Sequence, residues 1–372
     1  MHLPFRILIK LNKRKDKNQY INHCAFWIIL YFVCMILVTG GTGLVGSHLL
    51  YQLMVNDKPV RAIYRTEAKQ EIVKRVFSYY SDDYLNLFNK IEWIEADLLD
   101  IPQLTEAFKG IEYVYHAAAF VSFAPNDYHK LRKTNIEGTT NIVNLCISKQ
   151  VKKLCYVSSI ATISDPENNK YITEETHWNA EKDNSVYAIT KYGAEIEVWR
   201  GTQEGLNAVI LNPGVIIGSG IWNHGSGFIF KQVFNGLSYY TNGHIPCVAV
   251  TDVVKSMITL LEEEIKSERY ILVAEHLPYK TFLNLIANNL DVKPPHIEAK
   301  TWLLSLAWRL DWLRHKLTGK PRKLVKQIVK STQSETIYDN SKIKKDLNFQ
   351  FSPIENHIKK VAKNFLKDNA TT

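Results

Sequence analysis

Short apolar runs rich in β-branched residues alternate with segments of helical periodicity from Met35 onward. The runs that predict strands are residues 36–39, 60–64, 91–96, 113–117, 153–158, 208–212 and 270–273. The segments that predict helices are residues 43–55, 68–79, 103–108, 130–148 and 186–201. Because such alternation is typical of a parallel sheet with helices on both faces, we predict an α/β, doubly wound fold with seven strands in one sheet.

The pattern loosens after Gly214, where further glycines and a group of aromatic residues follow, and the last hundred residues or so have mostly helical periodicity. We therefore predict that residues 35–215, with a further strand near 268–274, form the sheet domain. Residues 216–267 and 275–368 are expected to form a smaller, mostly helical lobe that binds the substrate.

Residues 1–34 precede this pattern and combine a basic run at 10–17 with an apolar run at 24–38. The apolar run is shorter than the roughly 20 residues that a membrane-spanning helix needs, and its last four residues are required as a buried strand. We favour an N-terminal extension or a mis-assigned start, with Met35 opening the first strand. A short amphiphilic membrane anchor is the alternative.

Composition and charge exclude several classes of protein. The chain is 46% hydrophobic and 22% charged, as in ordinary globular proteins. Its net charge of +9 is concentrated in residues 1–34, with six Lys/Arg against one Asp, and in residues 300–330, with nine against one. The nearly neutral middle contains no basic stripe interleaved with aromatics, so we expect no nucleic-acid partner.

The cysteines are five in number, widely spread and without paired metal-ligand spacing. This pattern predicts neither a disulfide framework nor a metal site, and it favours a reducing compartment. We expect a cytoplasmic protein, with peripheral membrane association through the N-terminal extension as the alternative.

A glycine-rich segment, TGGTGLVG at 39–46, lies between the first predicted strand and the first predicted helix. Glycine there allows the backbone to turn tightly and to approach a pyrophosphate at the helix N-terminus. The spacing from Gly41 to Gly46 also matches GxGxxG. The segment therefore predicts a Rossmann-type dinucleotide site, and a plain strand-to-helix turn is the alternative.

The end of the second predicted strand bears on which nicotinamide cofactor binds. An acidic residue there would bind the ribose hydroxyls of NAD, but the chain has Tyr64 and then Arg65, with no carboxylate before Glu67. Since Arg65 can offer a planar guanidinium to a 2′-phosphate, NADP(H) is favoured and NAD(H) remains possible. Arg65 as a solvated surface cation is the alternative. Asp97 is placed either to accept from the adenine amino group or to cap the next helix.

Tyr187 and Lys191 lie four residues apart, hence on one face of a predicted helix. A nearby ammonium stabilises a phenolate and would lower the phenol pKa from its usual value of about 10 towards neutrality. Ser158 and Ser159 end the fifth predicted strand, where a hydroxyl could hold a substrate oxygen beside the phenol. The alternative for the Tyr187 and Lys191 pair is an ordinary helix-surface pair.

In order and spacing, the motifs of residues 35–353 resemble those of the extended short-chain dehydrogenase/reductase family. The matching pieces are TGGTGLVG at 39–46, ADLLD at 96–100, HAAA at 116–119, TNIEGT at 134–139, SS at 158–159, YAITK at 187–191, NPG at 212–214 and DVV at 252–254. The resemblance implies an enzyme in which Tyr187 is the general acid/base and Lys191 binds the nicotinamide ribose and lowers the phenol pKa. It also implies that Ser159, with Ser158 as the alternative, orients the reacting oxygen and that Asn135 is the structural asparagine of the central helix.

The remaining site predictions accompany this resemblance. Residues expected to contact the dinucleotide are Gly40, Gly43, Leu44, Val45, Gly46, Arg65, Asp97, Leu98, Ala117, Ala118, Tyr187, Lys191, Pro213 and Gly214. Residues expected to contact the substrate are Ser122, Phe123, Trp222 and Phe228.

Departures from particular branches of the family narrow the expected reaction. Dehydratases need an Asp-Glu pair after the catalytic hydroxyl, where this chain has Ile160 and Ala161. Nucleotide-sugar epimerases tend to carry the acidic ribose contact that is missing at Tyr64 and an arginine after NPG, which residues 218–222 lack. The aromatic residues Phe228, Phe230, Tyr239 and Tyr240 suggest an apolar or aromatic substrate, although lobe packing would also explain many of them.

The pattern is closest to dihydroflavonol reductase-like and 3β-hydroxysteroid dehydrogenase-like members. We therefore predict an NADP(H)-dependent oxidoreductase that transfers a hydride between the nicotinamide and a substrate carbonyl or hydroxyl. An NAD-dependent nucleotide-sugar epimerase and a non-catalytic dinucleotide-binding sensor or scaffold are the alternatives.

Residues 302–313 contain three tryptophans and five leucines around Arg309 and Asp311. These two charges argue against a spanning helix, so we expect the segment to pack in the lobe over the substrate, and an interfacial membrane helix is the alternative. The expected partner is a small-molecule substrate. We expect neither nucleic-acid binding nor membrane contact. A homodimer is suggested only by the family resemblance.

Overall fold

A seven-stranded parallel sheet forms the centre of the computed structural model, which describes residues 35–163, 171–318 and 326–370. Its strands are β1 (Met35–Thr39), β2 (Val60–Tyr64), β3 (Glu92–Glu95), β4 (Ile111–His116), β5 (Lys153–Val157), β7 (Ala208–Pro213) and β11 (Glu268–Leu272). The strand order is β11-β7-β5-β4-β1-β2-β3. From β1 the chain adds β2 and β3 on one side and β4, β5, β7 and β11 on the other, as in doubly wound folds. The predicted fold class and all seven predicted strands are confirmed.

Helices cover both faces of this sheet. They are α1 (Leu44–Val55), α2 (Gln70–Phe77), α3 (Tyr84–Asn89), α4 (Ile101–Ala107), α5 (Tyr128–Leu131), α6 (Gly138–Ser148), α7 (Val186–Gln203) and α9 (Val250–Glu262). On one face, α1, α2 and α9 pack around Leu49, Phe77 and Met257. On the other face, α4, α6 and α7 pack around Phe108, Ile142 and Val198. Because both faces are covered, the central strands are apolar throughout rather than alternating.

A smaller lobe follows β7. It contains the strands β8 (Val215–Ile217), β9 (Tyr239–Tyr240), β10 (His244–Ala249), β12 (Glu275–Pro278) and β13 (Ile297–Glu298). Its helices are α8 (Gly225–Phe234), α10 (Tyr279–Asn289), α11 (Thr301–Thr318), α12 (Lys326–Ser331) and α14 (Ile354–Ala370). Helix α13 (Ser341–Leu347) packs instead against β11, with Ile343 in the core of the main sheet. A separate core around Phe230, Phe282 and Phe365 joins α8, α10 and α14. Two short strands, β6 (Tyr171–Ile172) and β14 (Ile337–Tyr338), pair with each other.

Helix α9 lies within residues 216–267, which were predicted to belong to the lobe, but it packs on the main sheet. Its apolar side, which includes Val253, Met257 and Leu260, belongs to the same core as β1 and α1. The helix therefore covers the sheet, because the following strand β11 returns to pair with β7 and the chain must cross the sheet to reach it.

The predictions made for residues 1–34 lie outside the described residues. Within the described ranges, no helix is both long enough and apolar enough to cross a membrane.

Candidate active site

The glycine loop between β1 and α1 packs directly against the end of β4. Gly40 has a φ of 71°, and a Cβ atom there would lie 2.5 Å from the backbone nitrogen of Ala118. A Cβ on Gly46 would lie 2.1 Å from the Gly40 carbonyl oxygen. Both positions therefore require glycine, since a side chain would push the loop away from the sheet.

The first turn of α1 faces this loop. Gly43 occupies the N-cap position, and no side chain there accepts a hydrogen bond from the first turn. The backbone N–H groups of Leu44, Val45 and Gly46 are therefore available to a ligand at the positive end of the helix dipole. This arrangement fits the pyrophosphate of a dinucleotide.

The adenosine end of the site is open. Arg65 follows β2, Asp97 follows β3, and both side chains are about half exposed. The Arg65 Nη1 atom lies 3.8 Å from Asp97 Oδ2, so the guanidinium and the carboxylate face one another across neighbouring strand ends. The alternative expectation that Asp97 caps a helix is wrong, because Asp100 is the residue that caps α4 and accepts from Gln103 N at 3.0 Å. Asp97 Oδ1 instead accepts from Leu99 N at 2.9 Å.

Tyr187 and Ser159 meet where α7 begins and β5 ends. Ser185 caps α7 by accepting from Ala188 N at 3.1 Å, which sets Tyr187 in the first turn of the helix. The Tyr187 hydroxyl lies close enough to the Ser159 side chain for the serine to lower the phenol pKa. The Phe123 ring lies 5.4 Å from the Tyr187 ring between centroids.

The pKa of the Tyr187 phenol is raised, whereas the sequence predicted that it would be lowered. Burial raises the pKa of Tyr187 to about 12, and the neighbouring Ser159 side chain lowers it only in part. The Lys191 ammonium, which was predicted to lower this pKa, instead donates to the Tyr156 hydroxyl and the Val157 carbonyl oxygen. Tyr187 is therefore a protonated donor at neutral pH.

Lys191 is buried beneath Tyr187, one helical turn further along α7. Its Nζ atom donates to the Tyr156 hydroxyl at 2.6 Å and to the Val157 carbonyl oxygen at 2.9 Å. Burial lowers the pKa of Lys191 to about 7, and the negative charge of Glu195 acts in the opposite direction. The cation therefore depends on its neighbours to remain charged at neutral pH.

A buried polar cluster surrounds Glu195, one further turn along the same helix. The Glu195 Oε2 atom accepts from Ser158 Oγ at 2.6 Å, Thr162 Oγ1 at 2.7 Å and Asn212 Nδ2 at 2.8 Å. Arg269 Nη1 lies 3.2 Å from Glu195 Oε1. Because the Ser158 hydroxyl is committed to this cluster, Ser159 is the serine left at the mouth of the site.

Sequence reasoning missed Glu195, although its position offered a signal. It is the third member of a series at 187, 191 and 195, which places all three side chains on one helix face. Arg269 and Asn212 could not be found in this way, because only the pairing of β11 with β7 brings them near α7.

His116 connects the glycine loop to the catalytic side of the sheet. Its Nδ1 lies 2.6 Å from Thr39 Oγ1 and its Nε2 lies 3.0 Å from Thr139 Oγ1. The ring stacks on Tyr156, with 5.4 Å between centroids. Burial first, and the charge of Lys191 second, lower the pKa of His116 to about 3, so the imidazole is neutral at physiological pH.

Asn135 lies in one π-helical turn (Arg132–Glu137) between α5 and α6. Its side-chain oxygen accepts from Phe120 N at 2.8 Å, and its side-chain nitrogen donates to the Phe120 carbonyl oxygen at 3.0 Å and to Thr190 Oγ1 at 3.3 Å. The residue thereby ties the segment after β4 to α7.

Comparison with known proteins places the chain in a family. Residues 36–273 match the profile of the NAD dependent epimerase/dehydratase family. The chain belongs to that family. It is 27% identical over 344 residues to a putative dihydroflavonol 4-reductase of Synechocystis sp., which covers 90% of this chain and 94% of the relative. It is also 27% identical over 281 residues to anthocyanidin reductase of Arabidopsis thaliana, over 69% of this chain and 80% of that protein.

Solved structures share the fold of this chain. The crystal structure of gox2253 has a TM-score of 0.74 at 23% identity, covering 90% of this chain and 98% of that chain. UDP-glucose 4-epimerase of Thermotoga maritima, solved with UDP-glucose, has a TM-score of 0.71 at 20% identity over 90% of this chain and 99% of its own. As an enzyme of the epimerase/dehydratase family, the protein has the NAD(P)-binding fold of its relatives.

The residues predicted to contact the substrate differ in their burial and in their partners. Trp222 is buried in the lobe core against Phe365 and donates from Nε1 to Asp368 Oδ2 at 2.7 Å, and its substrate contact stays a prediction. Phe228 is exposed on α8. Ser122 donates to Asp127, and its oxygen accepts from Ala124 N.

Three residues predicted to contact the cofactor are Leu98, Pro213 and Gly214. Leu98 is buried behind α6, where Gly138 approaches it closely. Pro213 ends β7, and Gly214 follows with a Cβ position 2.5 Å from the Pro246 carbonyl oxygen. Gly214 is therefore required for the close approach of β10.

Proposed function

We propose that this family member is an NADP(H)-dependent oxidoreductase, with Tyr187 as the general acid/base. Its substrate would be a small apolar or aromatic compound that carries a carbonyl or hydroxyl group. The proposal rests on one observation: the neighbouring Tyr187 and Ser159 hydroxyls lie at the carboxyl edge of a parallel sheet whose glycine loop fits a dinucleotide. The relatives named dihydroflavonol 4-reductase and anthocyanidin reductase favour reduction as the reaction type.

The residues divide the work between orientation and proton transfer. Bound NADPH would supply a hydride to the substrate carbonyl carbon. The Ser159 and Tyr187 hydroxyls would hold the carbonyl oxygen, and Tyr187 would donate its proton to that oxygen as the carbon–oxygen π bond breaks. A phenol with a pKa of about 12 is in the protonated form that reduction requires.

Lys191 and Asn135 would support this proton transfer without contacting the carbonyl oxygen. Lys191 would bind the nicotinamide ribose, and its charge would stabilise the phenolate that remains after proton transfer. Asn135 would keep α7 aligned with the segment after β4 through its bonds to Phe120 and Thr190.

The preference for NADP(H) rests on the open adenosine end. Arg65 follows β2 directly, its guanidinium is half exposed, and β2 ends in Tyr64 instead of a carboxylate. A 2′-phosphate could form two parallel hydrogen bonds with this guanidinium, in competition with the 3.8 Å ion pair to Asp97.

The apolar character of the substrate rests on the side chains near Tyr187. Phe123 contacts the Tyr187 ring and keeps over a third of its own surface exposed, and Val121 nearby is more exposed still. Exposed apolar side chains beside a reactive hydroxyl are suited to a hydrocarbon or aromatic ring.

The test is NADPH oxidation, followed at 340 nm, with a panel of aromatic and alicyclic ketones and aldehydes. Turnover is expected with at least one aromatic ketone, whereas Gly46→Ala should bind no NADPH in a fluorescence titration because its Cβ collides with Gly40. An absence of NADPH binding by the folded wild-type protein would contradict the proposal. So would NAD-dependent epimerisation of a UDP-sugar without any carbonyl reduction.

A further inference from the structure

The helix α11 has an apolar face that no other described part of the protein covers. None of its 18 residues is buried. One side rests against α12 and is half-buried at Leu304, Trp308 and Asp311. The expectation that this segment packs within the lobe therefore holds for one side of the helix only.

The opposite side carries a continuous stripe of large apolar residues, which we call the α11 stripe. Its members and their exposed fractions are Trp302 65%, Leu306 47%, Leu310 56%, Leu313 44% and Leu317 75%. At 100° per residue these positions fall within an arc of about 80°, and they extend over roughly 22 Å of helix. Soluble domains rarely leave so ordered a row of apolar side chains in water.

Positive charge borders the α11 stripe. Arg309 and Lys316 lie seven residues apart along one edge, and each cation sits over an indole ring. The Arg309 guanidinium carbon is 4.7 Å from the Trp308 ring centroid, and Lys316 Nζ is 5.4 Å from that of Trp312. Long cationic side chains in this arrangement keep their stems on apolar surface and their charges in water.

The acidic residue of this region is turned away from the stripe. Asp311 is the one acidic residue among 300–330, it lies on the half-buried side, and its Oδ1 pairs with Arg314 Nη2 at 2.7 Å. The exposed side of α11 is therefore apolar in the middle and positive at its edge, without a compensating carboxylate among its own residues.

We propose that the α11 stripe docks the protein onto the surface of a membrane that contains anionic lipids. The apolar row would enter the boundary between headgroups and acyl chains, with the tryptophans at the level where amphipathic rings are favoured. Arg309 and Lys316 would lie at the headgroup phosphates. A second copy of the chain fits less well, because it would present the same positive edge. This inference is independent of the proposed reaction.

The experiment is flotation of the full-length protein with two kinds of vesicle, phosphatidylcholine alone and phosphatidylcholine with about a third phosphatidylglycerol. We expect binding to the anionic vesicles and a loss of that binding at high salt. The double variant Leu306→Asp/Leu310→Asp should bind at least about tenfold more weakly, because two apolar side chains no longer enter the lipid.

Three further variants separate the effect of charge from that of hydrophobicity and from non-specific damage. The variants Arg309→Gln and Lys316→Gln should each weaken binding to anionic vesicles by about fivefold and leave binding to neutral vesicles unchanged. Leu85→Asp is the matched control, since Leu85 is half exposed on α3, which packs against α1 and α2. Circular dichroism should show all four variants folded, because each substituted side chain is exposed.

Three results would overturn the proposal. The first is flotation of the double variant as strong as that of the wild type, which would assign any membrane binding to another segment. The second is a wild-type dimer in sedimentation that the double variant dissociates, without lipid binding by either, which would assign the stripe to a second copy. The third is a wild-type protein that floats with neither kind of vesicle.

Discussion

The nicotinamide end and the adenosine end of the candidate site are built in opposite ways. At the nicotinamide end, Lys191 and Glu195 are buried and every charge has partners within hydrogen-bond distance. At the adenosine end, Arg65 and Asp97 are half exposed and meet only at 3.8 Å. Buried groups have strongly shifted pKa values and little freedom to move, whereas exposed groups are screened by water.

This difference predicts how each end responds to substitution. Changes at the buried end should alter turnover, stability and pH dependence together, because the same contacts serve all three. Changes at the exposed end should alter only the affinity for one cofactor. The following tests are ordered from the largest expected effect to the smallest.

Tyr187→Phe should remove nearly all turnover, since it deletes the proton donor and leaves the ring in place. A fall in kcat of about 10²- to 10⁴-fold is expected, with NADPH affinity nearly unchanged. Tyr192→Phe on the same helix is the matched control, because its ring stacks on Trp178 and would be kept. Comparable loss in both variants would argue against a special role for Tyr187.

Glu195→Gln should destabilise the protein by about 3 kcal/mol or more, because Arg269 would be left as a poorly compensated, largely buried cation. It should also lower the pKa of Lys191 further and move the pH profile of kcat, since Glu195 favours the charged form. Urea unfolding and pH–rate profiles measure the two effects.

Glu197→Gln is the control for that variant. Glu197 pairs with Arg200 at 2.9 Å on the same helix, but both side chains are partly exposed. A surface pair of this kind contributes about 0–1 kcal/mol. A Glu195→Gln effect no larger than that of Glu197→Gln would contradict the positioning role of the buried cluster.

Acidification should destabilise the fold through its buried histidines. Burial lowers the pKa of His48 to about 4 and that of His116 to about 3, from the ordinary value of 6.5. As the pH falls below 6.5 the unfolded chain binds these protons first, so stability present above pH 6.5 is lost towards pH 4, on the order of 3 kcal/mol for each histidine.

The measurement for this prediction is the free energy of unfolding between pH 7.5 and pH 4.5. His48→Asn should flatten its slope between pH 6.5 and pH 4.5, whatever its effect at pH 7.5. An unchanged slope would show that His48 titrates normally in the folded protein.

Arg65→Ser should have the smallest effect and act on one cofactor alone. Loss of a charged hydrogen-bond donor is expected to raise the Kd for NADPH by roughly tenfold or more and to leave that for NADH unchanged. Lys69→Ser, at a nearby cation on the segment before α2, is the control. An equal loss of affinity for NADH and NADPH would show that Arg65 does not bind the 2′-phosphate.

Local patterns were sufficient for the parts of the site that are contiguous in sequence. The strand that ends at Thr39 and the glycines that follow predicted the dinucleotide loop, because the φ of Gly40 and the closeness of Gly46 are local requirements. The four-residue spacing of Tyr187 and Lys191 placed both on one helix face. The aromatic character of Trp222 fitted a pocket and a lobe core equally well, and only the structure showed that the ring is buried in the lobe core.

The sequence by itself determined the order of strands and helices, the glycine loop and the shared face of Tyr187 and Lys191, because each follows from the periodicity of a short segment. Only the tertiary structure decided that Lys191 bonds to Tyr156, that Glu195 meets Arg269, and that the α11 stripe faces water. Those facts depend on which distant strands and helices become neighbours, and no local pattern encodes the burial that then shifts a pKa or leaves a surface exposed.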